Sequence, residues 1–91
     1  MKRTLLINHL NIDEEFHRQG EIFFLIGNMN LVREHLMNVF NSMDSPYYNK
    51  CTFKQDGILL SVEIKDIPNV LVLLIQEGIK VYNVFEVYSP M

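Results

Sequence analysis

Ile58, Leu60, Val62 and Ile64 alternate strictly with Leu59, Ser61, Glu63 and Lys65. A period of two sends successive side chains to opposite faces, so this segment reads as a strand with one strongly apolar face. Asp56-Gly57 stands just before it and reads as a tight hairpin turn in which glycine supplies positive φ. Upstream of that turn, Cys51 and Phe53 alternate with Lys50, Thr52 and Lys54, the pattern of a half-buried partner strand. A lone hairpin cannot bury its own apolar face. The rest of the chain must therefore provide more strands and a cover.

The flanking segments have that character. Glu21 to Gly27 is a short apolar run, too short for a globular helix, and reads as a central strand covered on both faces. After Gly27-Asn28-Met29-Asn30, with Asn30 as the expected cap, the residues Val32, Leu36, Val39, Phe40 and Met43 form one helical stripe, ended by Asp44-Ser45-Pro46. Beyond the hairpin, Asp66-Ile67-Pro68 opens a second helix, with Ile67 expected to be extended before the proline. The unbroken apolar stretch from Val70 to Ile75 predicts a helix covered on more than one side. Gly78 fits the left-handed position past its end, folding Ile79 back onto Leu74. Val81 to Tyr88 reads as the last strand, stopped by Pro90.

Residues 21–91 thus give the order βαββαβ. Its packing solution is an α+β ferredoxin-like sandwich, with an antiparallel four-stranded sheet and both helices on one face. The expected core takes Leu36, Val39, Phe40, Val70, Leu71 and Leu74 from the helices. Phe24, Ile26, Phe53, Leu60, Val62 and either Val84 or Phe85 come from the sheet. Residues 1–20 form an N-terminal extension whose Leu5, Leu6, Ile7, Leu10, Ile12 and Phe16 need cover. They read equally as an added edge strand or as a helix over the bare sheet face. Phe23, Leu25, Leu59, Tyr82 and Tyr88 are the residues expected on that bare face, as an interface with the N-terminal segment or a second copy of the chain.

Ninety-one residues make one small domain. Eight Lys and Arg against eleven Asp and Glu leave a net charge of −3, which opposes a nucleic-acid partner even though Phe23, Tyr82 and Tyr88 have the chemistry to stack on bases. No apolar run approaches the roughly 18 residues of a membrane span, and the N-terminus lacks the apolar core of a signal peptide. The one cysteine, Cys51, cannot form an internal disulfide and reads as a core thiol in the reducing cytoplasm.

Little in the sequence carries reaction chemistry. His9, Asp13 and His17 are spaced four and four, yet lack a fourth metal ligand and read as a solvated polar face. Asp13-Glu14-Glu15 and Glu21 lack the shared cleft that acid–base pairs need. His35 reads as a surface residue, no serine has a Gly-x-Ser-x-Gly frame, and Cys51 has no histidine near it in sequence. No catalytic residue, metal or cofactor is expected. Gly27, Asn28 and Asn30 are the candidate ligand-binding residues, because their loop joins a strand to a helix N-terminus, where free N–H groups favour a carboxylate or phosphate. Sandwiches of this type often bind small molecules at that loop, an argument from fold analogy.

The stretch from Asp66-Ile67-Pro68 through the apolar helix to Gly78-Ile79-Lys80-Val81-Tyr82, with the hairpin re-entry Gly57-Ile58-Leu59-Leu60, resembles a known pattern. It is similar to the C-terminal accessory domain of bacterial ABC-transporter ATP-binding subunits of the bacitracin-exporter type, over residues 21–88. The chain has no phosphate-binding Gly-x-x-x-x-Gly-Lys-Ser/Thr loop and no ATPase signature. The resemblance therefore implies a non-enzymatic regulatory or interaction domain, partnered by a second copy or by a transporter subunit, and carries over no catalytic residue. The alternative is a domain that senses an amino-acid-like or anionic small molecule at the loop after the first strand.

Overall fold

Two strands at the centre of the sheet organise the rest. The computed structural model describes residues 17–88. Strand β1 (Gln19–Ile26) pairs antiparallel with β3 (Gly57–Glu63) on one side and with β4 (Val81–Val87) on the other. The short β2 (Cys51–Phe53) pairs with the outer side of β3, giving the order β2-β3-β1-β4. Helices α1 (Met29–Phe40) and α2 (Ile67–Gln76) complete the ferredoxin-like βαββαβ arrangement. The strand begins two residues earlier than the sequence pattern shows. The expectations for residues 1–16, and for Pro90, lie outside the described residues.

Parity along the strands decides which side chains meet the helices. Ile22, Phe24 and Ile26 of β1 and Ile58, Leu60 and Val62 of β3 are buried on one face. Phe24 pairs with Ile58 on one flank and Val84 on the other, so Val84 faces the core while Phe85 faces away. Leu36 and Phe40 of α1 and Val70 and Leu74 of α2 close over that surface, all fully buried. Each such burial contributes about 1.5–3 kcal/mol. Met29, Tyr47 and Ile79 join the same core from helix ends and loops. The other face of β1 carries Phe23 and Leu25, which are only half-buried. The expectation that this strand is covered on both faces therefore fails among the described residues.

The helix ends hold further differences. Asn28, not Asn30, precedes α1; it adopts a left-handed φ of 55° and makes no side-chain cap bond. Its carbonyl instead accepts from the Leu31 and Val32 N–H groups at 2.8 and 3.2 Å. Helix α1 stops at Phe40, so Met43 falls off the stripe and is exposed. A 3-10 turn, Ile64–Asp66, runs directly into α2 and holds Ile67 at φ −54°, ψ −47°, a helical conformation rather than the extended one expected before Pro68. Val72 and Ile75 of α2 are exposed, so among the described residues only one side of that helix is covered. Its C-terminus matches expectation: Gly78 has φ 76°, and the Ile79 N–H donates to the Leu74 carbonyl at 2.9 Å while Gly78 N–H donates to Ile75 at 3.0 Å. That bond pair is the Schellman closure.

Gly57 has a different purpose from the one its sequence context suggests. Its φ is not positive. A Cβ there would collide with the Phe24 carbonyl oxygen and come within 2.9 Å of the Phe23 ring. Glycine is required because β3 approaches β1 closely at Leu25↔Gly57. A backbone carbonyl in a central strand cannot swing aside, so we expect Gly57→Ala to destabilise the fold by about 1–3 kcal/mol, read as a lower midpoint in a urea titration. An unchanged midpoint would show that the two strands have slack there.

Candidate functional site

The face of the sheet turned away from the helices is built from the odd-numbered residues of β1. Phe23 lies at its centre, opposite Leu59 on β3 and Phe85 on β4. The Phe23 and Phe85 rings are 5.3 Å apart and tilted by 38°, a favourable aromatic contact. Leu25 lies between Gly57 and Asn83, and Glu21 between Ser61 and Val87. Thr52 extends the row to β2 beyond Leu59. Phe85 is 46% and Val87 39% exposed. The result is a band of apolar side chains across three strands, with Glu21 as the charged residue in register with it.

Of the five residues expected on this face, Phe23, Leu25 and Leu59 are there. Tyr82 sits instead at an irregularity, where the pairing jumps from Leu25↔Asn83 to Ile26↔Val81. Its ring lies over Gly27, filling the space a side chain there would take. Tyr88 follows β4 and donates its hydroxyl to Glu86 Oε1 at 2.8 Å. Glu86 pairs with Ile22, so this contact belongs to the helix side of the sheet margin, not to the open face. Sequence reading missed Phe85 and Val87. The signal was present in the parity of β4, once Val84 is assigned inward by its pairing with Phe24.

The outer edge of β4 is guarded. Gly27 N–H donates to Lys80 at 2.9 Å and Ile26 N–H to Asp56 at 2.9 Å. By alternation, the odd residues of β1 bond to β4, which leaves the Val84 N–H on the free edge. That N–H is occupied by the Asn83 side-chain oxygen at 2.8 Å. The strand irregularity at Tyr82 adds a second obstacle to pairing with another strand. The opposite edge, β2, is three residues long.

The loop with Gly27, Asn28 and Asn30 places Asn28 and Asn30 at the surface, on either side of the buried Met29. Asn30 is within the first turn of α1. The histidines sit apart from one another in separate contacts. His17 Nδ1 is 3.2 Å from Glu63 Oε2, and His35 Nε2 is 2.7 Å from Glu77 Oε1, linking α1 to the end of α2. His9 and Asp13 lie outside the described residues, among which no group of three or more His, Cys, Asp or Glu is placed to hold a metal. Cys51 is half-buried, and desolvation pushes its thiol up to about 12, which removes it as a nucleophile near neutral pH. No helix among the described residues is long and apolar enough to cross a membrane.

The shortest ion pair among the described residues ties the start of the sheet to its end. Arg18 Nη1 and Nη2 donate to the two Glu86 oxygens at 2.5 and 2.9 Å. The Arg18 hydrogen bond, then that from Tyr88, draws the Glu86 carboxyl from 4.5 down to about 2. A carboxyl depressed in the folded chain contributes stability above its unfolded pKa and loses it as pH falls through the folded value. We expect the stability difference between the parent and Glu86→Gln to be full above pH 4.5 and to shrink steadily toward pH 2. Chemical denaturation at a series of pH values checks this, and a difference independent of pH across that window would refute the linkage.

The chain matches no protein-family model, no curated protein and no solved structure.

Proposed function

We propose that this chain is a non-enzymatic interaction domain of the regulatory type, and that it associates with a second copy of itself through the open face of its sheet. The observation that carries the reading is the band formed by Phe23, Leu25, Leu59, Phe85 and Val87 on the face opposite both helices. Apolar area on that scale is stabilised by removal from water, at about 25 cal/mol per Å² before the costs of ordering. The band carries little charge, so two copies can approach face to face without strong repulsion. Association by the sheet edge is the weaker form of the same idea, because Asn83 occupies the exposed Val84 N–H and β2 is short.

The resemblance to transporter accessory domains supports the regulatory reading and supplies the second class of partner, a transporter ATP-binding subunit. The absence of a phosphate-binding loop from the sequence supports a role in association rather than in ATP hydrolysis. A cytoplasmic setting accords with one cysteine and no internal disulfide.

Sedimentation velocity over a wide concentration range tests the proposal. We expect a reversible dimer, and we expect Phe85→Asp to weaken it at least about tenfold, as removal of a central aromatic anchor does. Phe85 is half-exposed and outside the core, so the variant should still fold cooperatively, with a melting temperature lowered by the lost contact with Phe23. A parent chain that stays monomeric at high concentration, or a Phe85→Asp variant that dimerises as well as the parent, contradicts the reading.

A further inference from the structure

Glu21 is a carboxylate set among the apolar residues of the open face. It is exposed, opposite Ser61 on β3 and Val87 on β4, with Phe23 two residues along its own strand. A surface that covers both Phe23 and Val87 therefore covers the carboxylate beside them. The immediate surroundings bring no counter-charge. Gln19 stands on its other side along β1, and Leu59 and Phe85 lie diagonally across on β3 and β4. Glu63, the other diagonal neighbour on β3, carries a charge of the same sign and is met by His17 Nδ1 at 3.2 Å. Arg18 is bound to Glu86, which pairs with Ile22 on the helix side of the sheet.

The lysines of this sheet margin stand further off. Ser61 N–H donates to the Lys50 carbonyl at 2.9 Å, and Lys54 N–H donates to the Gly57 carbonyl at 2.8 Å. Both lysines therefore flank β2, two strands from β1 and about 10 Å across the sheet. Lys50 also borders a cleft at the end of the sheet with Tyr47, Glu63 and Asp66, where two carboxylates already compete for it. The Glu21 carboxylate itself makes no ion pair or hydrogen bond with any described residue. In the single chain, water stabilises its charge.

We propose that Glu21 gates self-association through this face: it weakens the pairing of two copies while it is charged and permits it once the carboxylate has taken up a proton. The gate rests on the dimer reading above and names the residue that regulates it. A two-fold pairing is isologous, so each copy brings its own Glu21 under cover. Covering strips water from the carboxylate and gathers two like charges into one interface. Both effects act on the charged form in the dimer and are absent from the separated chains. The dimer therefore holds the Glu21 proton more tightly than the single chain does, and a group of that kind makes association stronger as pH falls. A partner surface with a cation opposite Glu21 would show the reverse sign, because acid would remove the charge that it pairs with.

Sedimentation velocity of the full chain and of Glu21→Gln, at about pH 7.5 and about pH 5, tests the gate. We expect the parent dimer to be at least about tenfold tighter at the lower pH, with two carboxyls taking up protons together. Glu21→Gln keeps the shape and removes the charge of an exposed side chain, so it leaves the core untouched. It should dimerise at both pH values about as tightly as the acidified parent. The net charge of −3 also shrinks on acidification, but it does so in both proteins, and the difference between them belongs to Glu21. His17→Gln removes the histidine of the same margin and should leave the response of the parent in place. A parent dimer equally strong at both pH values, or weaker in acid, overturns the gate and leaves the dimer standing. So does a Glu21→Gln chain that keeps the full response, or a response that His17→Gln abolishes. Monomers of both proteins at both pH values overturn the dimer reading itself, and the gate with it.

Discussion

The pairing of Phe24 with Ile58 and Val84 fixes the rest of this molecule. It sets the parity of three strands at once. With Phe24 inward, Ile22, Ile26, Leu60 and Val62 follow it into the core, and Phe23, Leu25, Leu59, Phe85 and Val87 follow their own parity outward. A slip of one residue would exchange the two sets. It would also carry Gly57 away from the point where β3 and β1 come too close for a side chain. The same registry therefore holds the core together and lays out the apolar band on the opposite face.

Polar contacts finish the margins. Arg18 and Glu86 fasten the beginning of the sheet to its last strand, and His35 meets Glu77 between the helices. Asn83 consumes an edge N–H that would otherwise invite another strand. These contacts limit the ways in which one molecule can adhere to another. What they leave accessible is a face rather than an edge.

The element order was legible because β3 alternates cleanly and because Gly78-Ile79 carries a strong helix-stop signal. Core membership was legible for the same reason, down to Phe53 and Leu71 at its rim. Other features depend on contacts between distant segments and leave little local trace. The choice of Asn28 over Asn30 as the helix entry depends on a left-handed backbone, which either asparagine tolerates. Ile67 is helical because a 3-10 turn delivers the chain already coiled, overriding the usual effect of the following proline. The apolar run in α2 suggested cover that no described element gives to Val72 and Ile75. Tyr88 looked like a surface aromatic of the open face until its bond to Glu86 placed it on the other side.

The most direct test of the account is the accessibility of individual side chains to a soluble paramagnetic agent, measured by NMR at low and at high protein concentration. Phe24 and Leu60 protons should be shielded at both concentrations. Phe85 and Val87 protons should be strongly relaxed in the dilute sample and become protected in the concentrated one. Phe85 and Val87 shielded even at high dilution, or equally relaxed at every concentration, would contradict it.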